Sequence, residues 1–246
     1  MTVRSLLSAL SLTVFLSLAR SFTGGAQTPP LTPVAPRDEH YREVNGLNVY
    51  YQTYGAGRPV LFLHGGFVTI EQNYSQQLPY FSQHHLVLAV EQQGHGRTRD
   101  IDQPLDYVHM ADNTAELLTA LHLFPVDVVG HSDGGIVGLL LAARHPSLVR
   151  RLVVSGASAL PLGDAFLPEV TAEVAAWDPL ADTDGLSRYR ASFADSASHY
   201  PVIVTKLKDL WLNHPTRAEL GPEVLAKVAA PTLVIAGDHD LVLLEH

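Results

Sequence analysis

Apolar residues fall along this chain in short continuous runs. Residues 59–63, 86–90, 126–129, 152–154 and 232–236 each form such a run, ending at a glycine or a polar residue. Their lengths suit strands, and continuity rather than alternation is what a parallel sheet covered on both faces imposes. The stretches between them change period. Residues 110–122 place Ala115, Leu117, Leu118 and Leu121 at helical spacing, and 136–144 reads as a second helix stopped near Pro146. Alternation of strand and helix predicts an α/β fold, a doubly wound and mostly parallel sheet with flanking helices. Ahead of it, residues 41–54 read as an antiparallel hairpin turning at Asn45-Gly46. Residues from about 157 to 230 are too long for an ordinary connection and are expected to form a helical lid inserted before the last strand present. Its aromatics, Phe166, Trp177, Tyr189, Phe193, Tyr200 and Trp211, are expected to make the lid's own small core, the other reading being the lining of an acyl pocket.

Open α/β sheets bind ligands beyond the carboxyl ends of their strands, so the residues that follow each run are the place to look for chemistry. After the third run comes Gly130-His131-Ser132-Asp133-Gly134, a G-x-S-x-G pattern between strand and helix. A tight strand-to-helix elbow exposes its central hydroxyl, and the flanking glycines make room for the crossing backbone, which marks Ser132 as a nucleophile. After the first run comes His64-Gly65-Gly66-Phe67. A tetrahedral oxyanion needs preorganised N–H donors, and Gly66 is the candidate there, with Phe67 the neighbour it can be confused with and a candidate substrate contact. The second donor is expected to be the N–H of Asp133. His64 is expected to be a structural loop residue and Arg97 an ion-pair partner, and the side chains of His131 and Asp133 need no catalytic role. Asp238, His239 and Asp240 lack an ordered ligand spacing, so no metal site is expected, nor any cofactor.

Composition narrows the partners. A chain of 246 residues with 46% hydrophobic content can bury one large core, and a net charge of -9 disfavours nucleic acid and anionic membranes. A small neutral substrate of ester type fits better. With no cysteine there is neither a disulfide nor a thiol nucleophile. Arg4, the apolar stretch 6–19 and Gly24-Gly25-Ala26 read as a signal peptide over residues 1–26, followed by a Pro-rich linker at 27–37 and a folded domain at 38–246. A secreted or periplasmic protein without a stable membrane anchor is the expectation.

The strand followed by HGG, then EQQGHGRT at 91–98, GHSDGG at 130–135 and VIAGDHD at 234–240, in that order, resemble the α/β-hydrolase fold superfamily in its serine esterase, lipase and cofactor-free haloperoxidase branch. The resemblance covers about residues 40–246. It implies a triad in the order nucleophile, acid, histidine, with Ser132 as nucleophile and Asp240, rather than Asp238, as acid. It also implies a histidine a helix and a strand beyond the acid, so the expectation is that these residues are a fragment of a longer hydrolase of carboxylic esters. A cofactor-free haloperoxidase or perhydrolase, and a non-catalytic binding protein on the same fold, are the alternatives.

Overall fold

The computed structural model describes residues 34–237 and 240–242. The stretch read as a signal peptide and the start of the Pro-rich linker lie outside them, as do Asp238, His239 and His246. Among the described residues no helix is long and apolar enough to cross a membrane.

The chain opens with the expected hairpin. β1 (Asp38–Val44) pairs antiparallel with β2 (Leu47–Tyr54), in a register that closes at Val44 opposite Leu47. Asn45 (φ 50) and Gly46 (φ 80) both take the left-handed conformation that a tight two-residue turn requires. The apolar runs become β3 (Arg58–Leu63), β4 (His85–Val90), β5 (Val126–His131), β6 (Val149–Ser155) and β7 (Thr232–Ile235). They join one seven-stranded sheet in the order β1-β2-β4-β3-β5-β6-β7, antiparallel at β1-β2 and β2-β4 and parallel elsewhere.

Continuous hydrophobicity in the central strands has the expected cause. Two short helices missing from the sequence reading, α1 (Ile70–Tyr74) and α2 (Leu78–Phe81), cover one face. There Phe62 meets Tyr74 edge-on at 4.8 Å, in a cluster with Tyr50, Tyr54, Val60, Ile70 and Leu78. On the other face α4 (Asp133–Arg144) packs against β3, β5 and β6, and α3 (Tyr107–Ala120) packs against α4. Alternate residues of β3 thus serve opposite layers, and each fully buried Leu or Phe contributes roughly 1.5–3 kcal/mol over its exposed state.

Between β6 and β7 the chain is helical: α5 (Leu162–Ala165), α6 (Pro168–Ala176), α7 (Thr183–Ser192), α8 (Tyr200–Asn213), α9 (Arg217–Leu220) and α10 (Pro222–Leu225). Local chemistry starts these helices. Pro168 and Pro201 stand in first turns, the Asp182 side chain accepts from Gly185 N–H, and Thr216 with Glu219 forms a capping box. Along α8, Ile203, Val204, Leu207, Leu210 and Trp211 make one buried stripe. Ile203 of that stripe lies against Gly94 in the loop that follows β4. Lys206 Nζ reaches Asp100 Oδ2 at 2.7 Å as well as the carbonyls of Ile101 and Gln103, and His199 Nε2 meets the same Asp100 oxygen at 2.8 Å.

Candidate functional site

Ser132 sits between β5 and α4 with φ 52 and ψ -123, a left-handed conformation that costs a serine energy and persists only where its surroundings impose it. They do. Its N–H donates to Ser155 O on β6 at 2.9 Å, and its carbonyl accepts from Gly135 and Ile136 to begin the helix. A Cβ at Gly134 would lie 2.0 Å from Leu63 O, and one at Gly130 would lie 2.3 Å from Gly134 O. The elbow can therefore form only with glycine at both places. Gly135 is less tight but still crowded, within 2.7 Å of Ala157 Cβ and 3.0 Å of Val154 Cγ1 by the same measure, so the helix start lies close on the sheet.

The loop after β3 comes up beside it. A Cβ at Gly65 would be 3.2 Å from Ser132 Cβ, and Gly65 N–H is held by Asn73 Oδ1 at 2.7 Å. Among the described residues the N–H groups of Gly66 and Phe67 have no acceptor, so both are free to receive an oxyanion. Asp133 N–H opens α4, where no intrahelical acceptor exists, and the Ser132 side chain does not cap it. Phe67 (φ 56) turns its ring into the helical segment, with centroids 5.5 Å from Trp177, 5.3 Å from Phe193 and 6.0 Å from Tyr200. The aromatics thus interlock around Phe67, with Trp177 stacked on Trp211 at 6.1 Å.

His64 is locked neutral. Its Nε2 accepts from Gln92 N–H at 3.1 Å, which leaves Nδ1 to donate to Gly65 O at 2.7 Å, and burial pulls its pKa down to about 3. Arg97 pairs with Glu71 and Glu91 and lies over the Tyr50 ring at 4.2 Å. Both are framework.

Asp240 lies past β7, two strands along from Ser132. Its Oδ1 accepts from Leu241 N–H at 2.8 Å and its Oδ2 from Gly237 N–H at 3.3 Å, while Leu167 N–H donates to Leu241 O and pins this loop to the helical segment. A Cβ at Gly156 would lie 3.3 Å from His131 Cε1 and 3.8 Å from Asp240 Oδ2, so this carboxylate lies at the flank of the elbow. His131 itself is bonded through Nδ1 to Ser155 Oγ at 3.1 Å. Among the described residues no histidine is hydrogen-bonded to the Ser132 hydroxyl, and no cluster of three metal-ligating side chains occurs.

One buried group escaped the sequence reading. The Asp133 carboxylate accepts from Tyr107 Oη at 3.0 Å and from Trp211 Nε1 at 2.9 Å, and burial pushes it up to about 6. The only signal for it in the sequence is a carboxylate in the first turn of an otherwise apolar helix.

The alpha/beta hydrolase fold family matches residues 58–200, from β3 through the elbow into α8. This chain belongs to that family. Among relatives of this hydrolase-fold protein, mouse (Mus musculus) serine hydrolase BPHL is 28% identical over 208 residues, 80% of this chain and 68% of BPHL. The 2-hydroxy-6-oxo-6-(2'-aminophenyl)hexa-2,4-dienoic acid hydrolase of Metapseudomonas resinovorans is 24% identical over 83% of this chain and 76% of its own length. A solved hydrolase from Pseudomonas aeruginosa PA01 superposes with TM-score 0.61 at 25% identity, covering 85% of this chain and 84% of that one. The expected fold class is the observed one: a mostly parallel sheet with flanking helices.

Proposed function

We propose that this α/β-hydrolase-fold chain carries the site of a serine hydrolase of carboxylic esters. The observation that carries the reading is the strained Ser132 elbow with the backbone of Gly65 against its Cβ. Ser132 Oγ attacks the carbonyl carbon, and the N–H groups of Gly66 and Asp133 receive the oxyanion. Expulsion of the alcohol leaves an acyl-enzyme that water then hydrolyses. The kinship with hydrolases supports a substrate with a hydrolysable acyl bond. The proton on Ser132 requires a histidine. Among those described, His64 and His95 are buried neutral, while His145, His199 and His214 pair with Asp112, Asp100 and Glu219. Asp240, fixed by its own loop, is the carboxylate suited to orient a base supplied from beyond it, as the family order implies.

Labelling with a fluorophosphonate followed by peptide mapping tests this reading, alongside hydrolysis of short activated esters. The expected outcome is one adduct, on Ser132. In whatever turnover is present, Ser132→Ala should lower kcat by about 10³-fold or more. Labelling at another residue, or turnover indifferent to Ser132→Ala, overturns the assignment.

A further inference from the structure

Asp133 follows the nucleophile, and its side chain is fully engaged. The residue is 9% exposed. Both donors to it are neutral, Tyr107 on α3 and Trp211 on α8, and a carboxylate held in such a place against its burial needs more reason than filling space. The neighbouring loop supplies the reason. A Cβ at Gly66 would lie 2.5 Å from Asp133 Oδ2 and 2.5 Å from Trp211 Cζ2, so the backbone of Gly66 rests directly on the pair that the carboxylate ties together. Trp211 stacks on Trp177, and Trp177 meets the Phe67 ring edge-on. One side chain therefore joins the start of α4, the loop after β3 and helix α8.

We propose that the Asp133 carboxylate is a positioning residue: by holding Trp211 against Gly66 it sets the spacing of the two backbone N–H groups that receive the oxyanion, and it seats α8 on that edge of the sheet. The catalytic half rests on Ser132 being the nucleophile. The seating does not, and it is measurable without turnover.

Trp177 and Trp211 are the only two tryptophans of the chain, so the tryptophan band of near-UV circular dichroism reads their stacking. In the full chain, Asp133→Asn keeps both contacts, its amide oxygen accepting from Trp211 and its amide N–H donating to Tyr107, whereas Asp133→Leu fills the volume and keeps neither. The expected result is a retained tryptophan band for Asp133→Asn and loss of most of it for Asp133→Leu with the far-UV spectrum unchanged. In ester hydrolysis, Trp211→Phe should lower kcat about tenfold with KM held within about twofold, because the contact acts when the oxyanion forms. An unchanged band in Asp133→Leu, a lost band in Asp133→Asn, or a Trp211→Phe effect confined to KM overturns the proposal. If Asp133→Leu does not fold, Asp133→Asn and Trp211→Phe decide. Turnover indifferent to Ser132→Ala, with the band behaving as expected, removes the hydrolase reading and leaves the seating intact.

Discussion

At the scale of single residues, what matters is which atoms have nowhere to go. A methyl at Gly134 would meet the carbonyl oxygens of Leu63 and His64 at 2.0 and 2.6 Å, and those atoms belong to the end of the central strand. Gly134→Ala should therefore cost about 3 kcal/mol of stability or more, the upper range for overpacking, because backbone rather than a flexible side chain must yield. Gly163 in α5 has nothing within 4 Å of the same position. Gly163→Ala should be neutral or gain up to about 1 kcal/mol from helix propensity. Urea unfolding of both variants checks the pair, and equal midpoints would refute the clash. The elbow was legible because everything that makes it is local: a strand, Gly-x-Ser-x-Gly, then a helix. The engagement of the Asp133 side chain was not, since its donors lie 26 and 78 positions away and only the folded chain brings them together. The same holds for the Asn73 grip on Gly65. His64 and Arg97 were legible as framework, although their partners were not.

Elements were readable where their burial is simple and unreadable where it is shared. The continuous runs 59–63 and 86–90 became β3 and β4 with one residue added, since strands buried on both faces leave no polar position inside. The run 152–154 underestimated β6, which begins at Val149, because Arg150, passed over at a register shift, and Arg151, paired with Asp127 of β5, break its apolar signature. α1 and α2 have five and four residues, too few for a helical period to show. β7 is the opposite case, apolar in sequence and exposed in the fold: Leu233 is 57% and Val234 68% exposed, and among the described residues no strand pairs with its outer edge. Unpaired apolar edges recruit other chains. Val234→Lys should accordingly at least halve, roughly, the mass fraction above monomer at a given concentration, a lysine on the edge being a common natural block. Light scattering on the two proteins measures it, and an unchanged distribution would show that association runs through some other surface.

For the whole molecule, alternation in the sequence specified the layers but not the strand order. Nothing local announces that β4 slots between β2 and β3, because that choice follows from the right-handed crossover and from which faces the helices cover. The same burial sets the response to acid. His64 and His95 are buried and neutral, at about 3 and about 4 against an ordinary 6.5, with burial the largest cause for both. As pH falls below 6.5 the unfolded chain takes up protons at these positions before the folded one does. The stability they allow at neutral pH is thus lost progressively from about 6.5 down to about 4 and 3. Asp133, at about 6 against an ordinary 3.8, has the opposite sign, and burial pushes Glu91 the same way. At these two the folded chain takes up the proton first, so the cost of their buried charge is relieved as pH falls. Glu71, Asp100 and Asp112 are held below their ordinary range, so what they contribute is lost only as pH falls below their ordinary values of 4.5 and 3.8. At about 1.4 kcal/mol per unit of pH per group, the two histidines remove on the order of 4 kcal/mol between pH 6.5 and 5, and the two buried carboxyls offset part of that loss. A net loss of stability from pH 7 to 5 is expected in urea unfolding. Asp133→Asn should deepen the loss, because it deletes one of the opposing groups. Stability that rises from pH 7 to 5 would mean that the carboxyls outweigh the histidines, and that His64 and His95 are not held neutral by their burial.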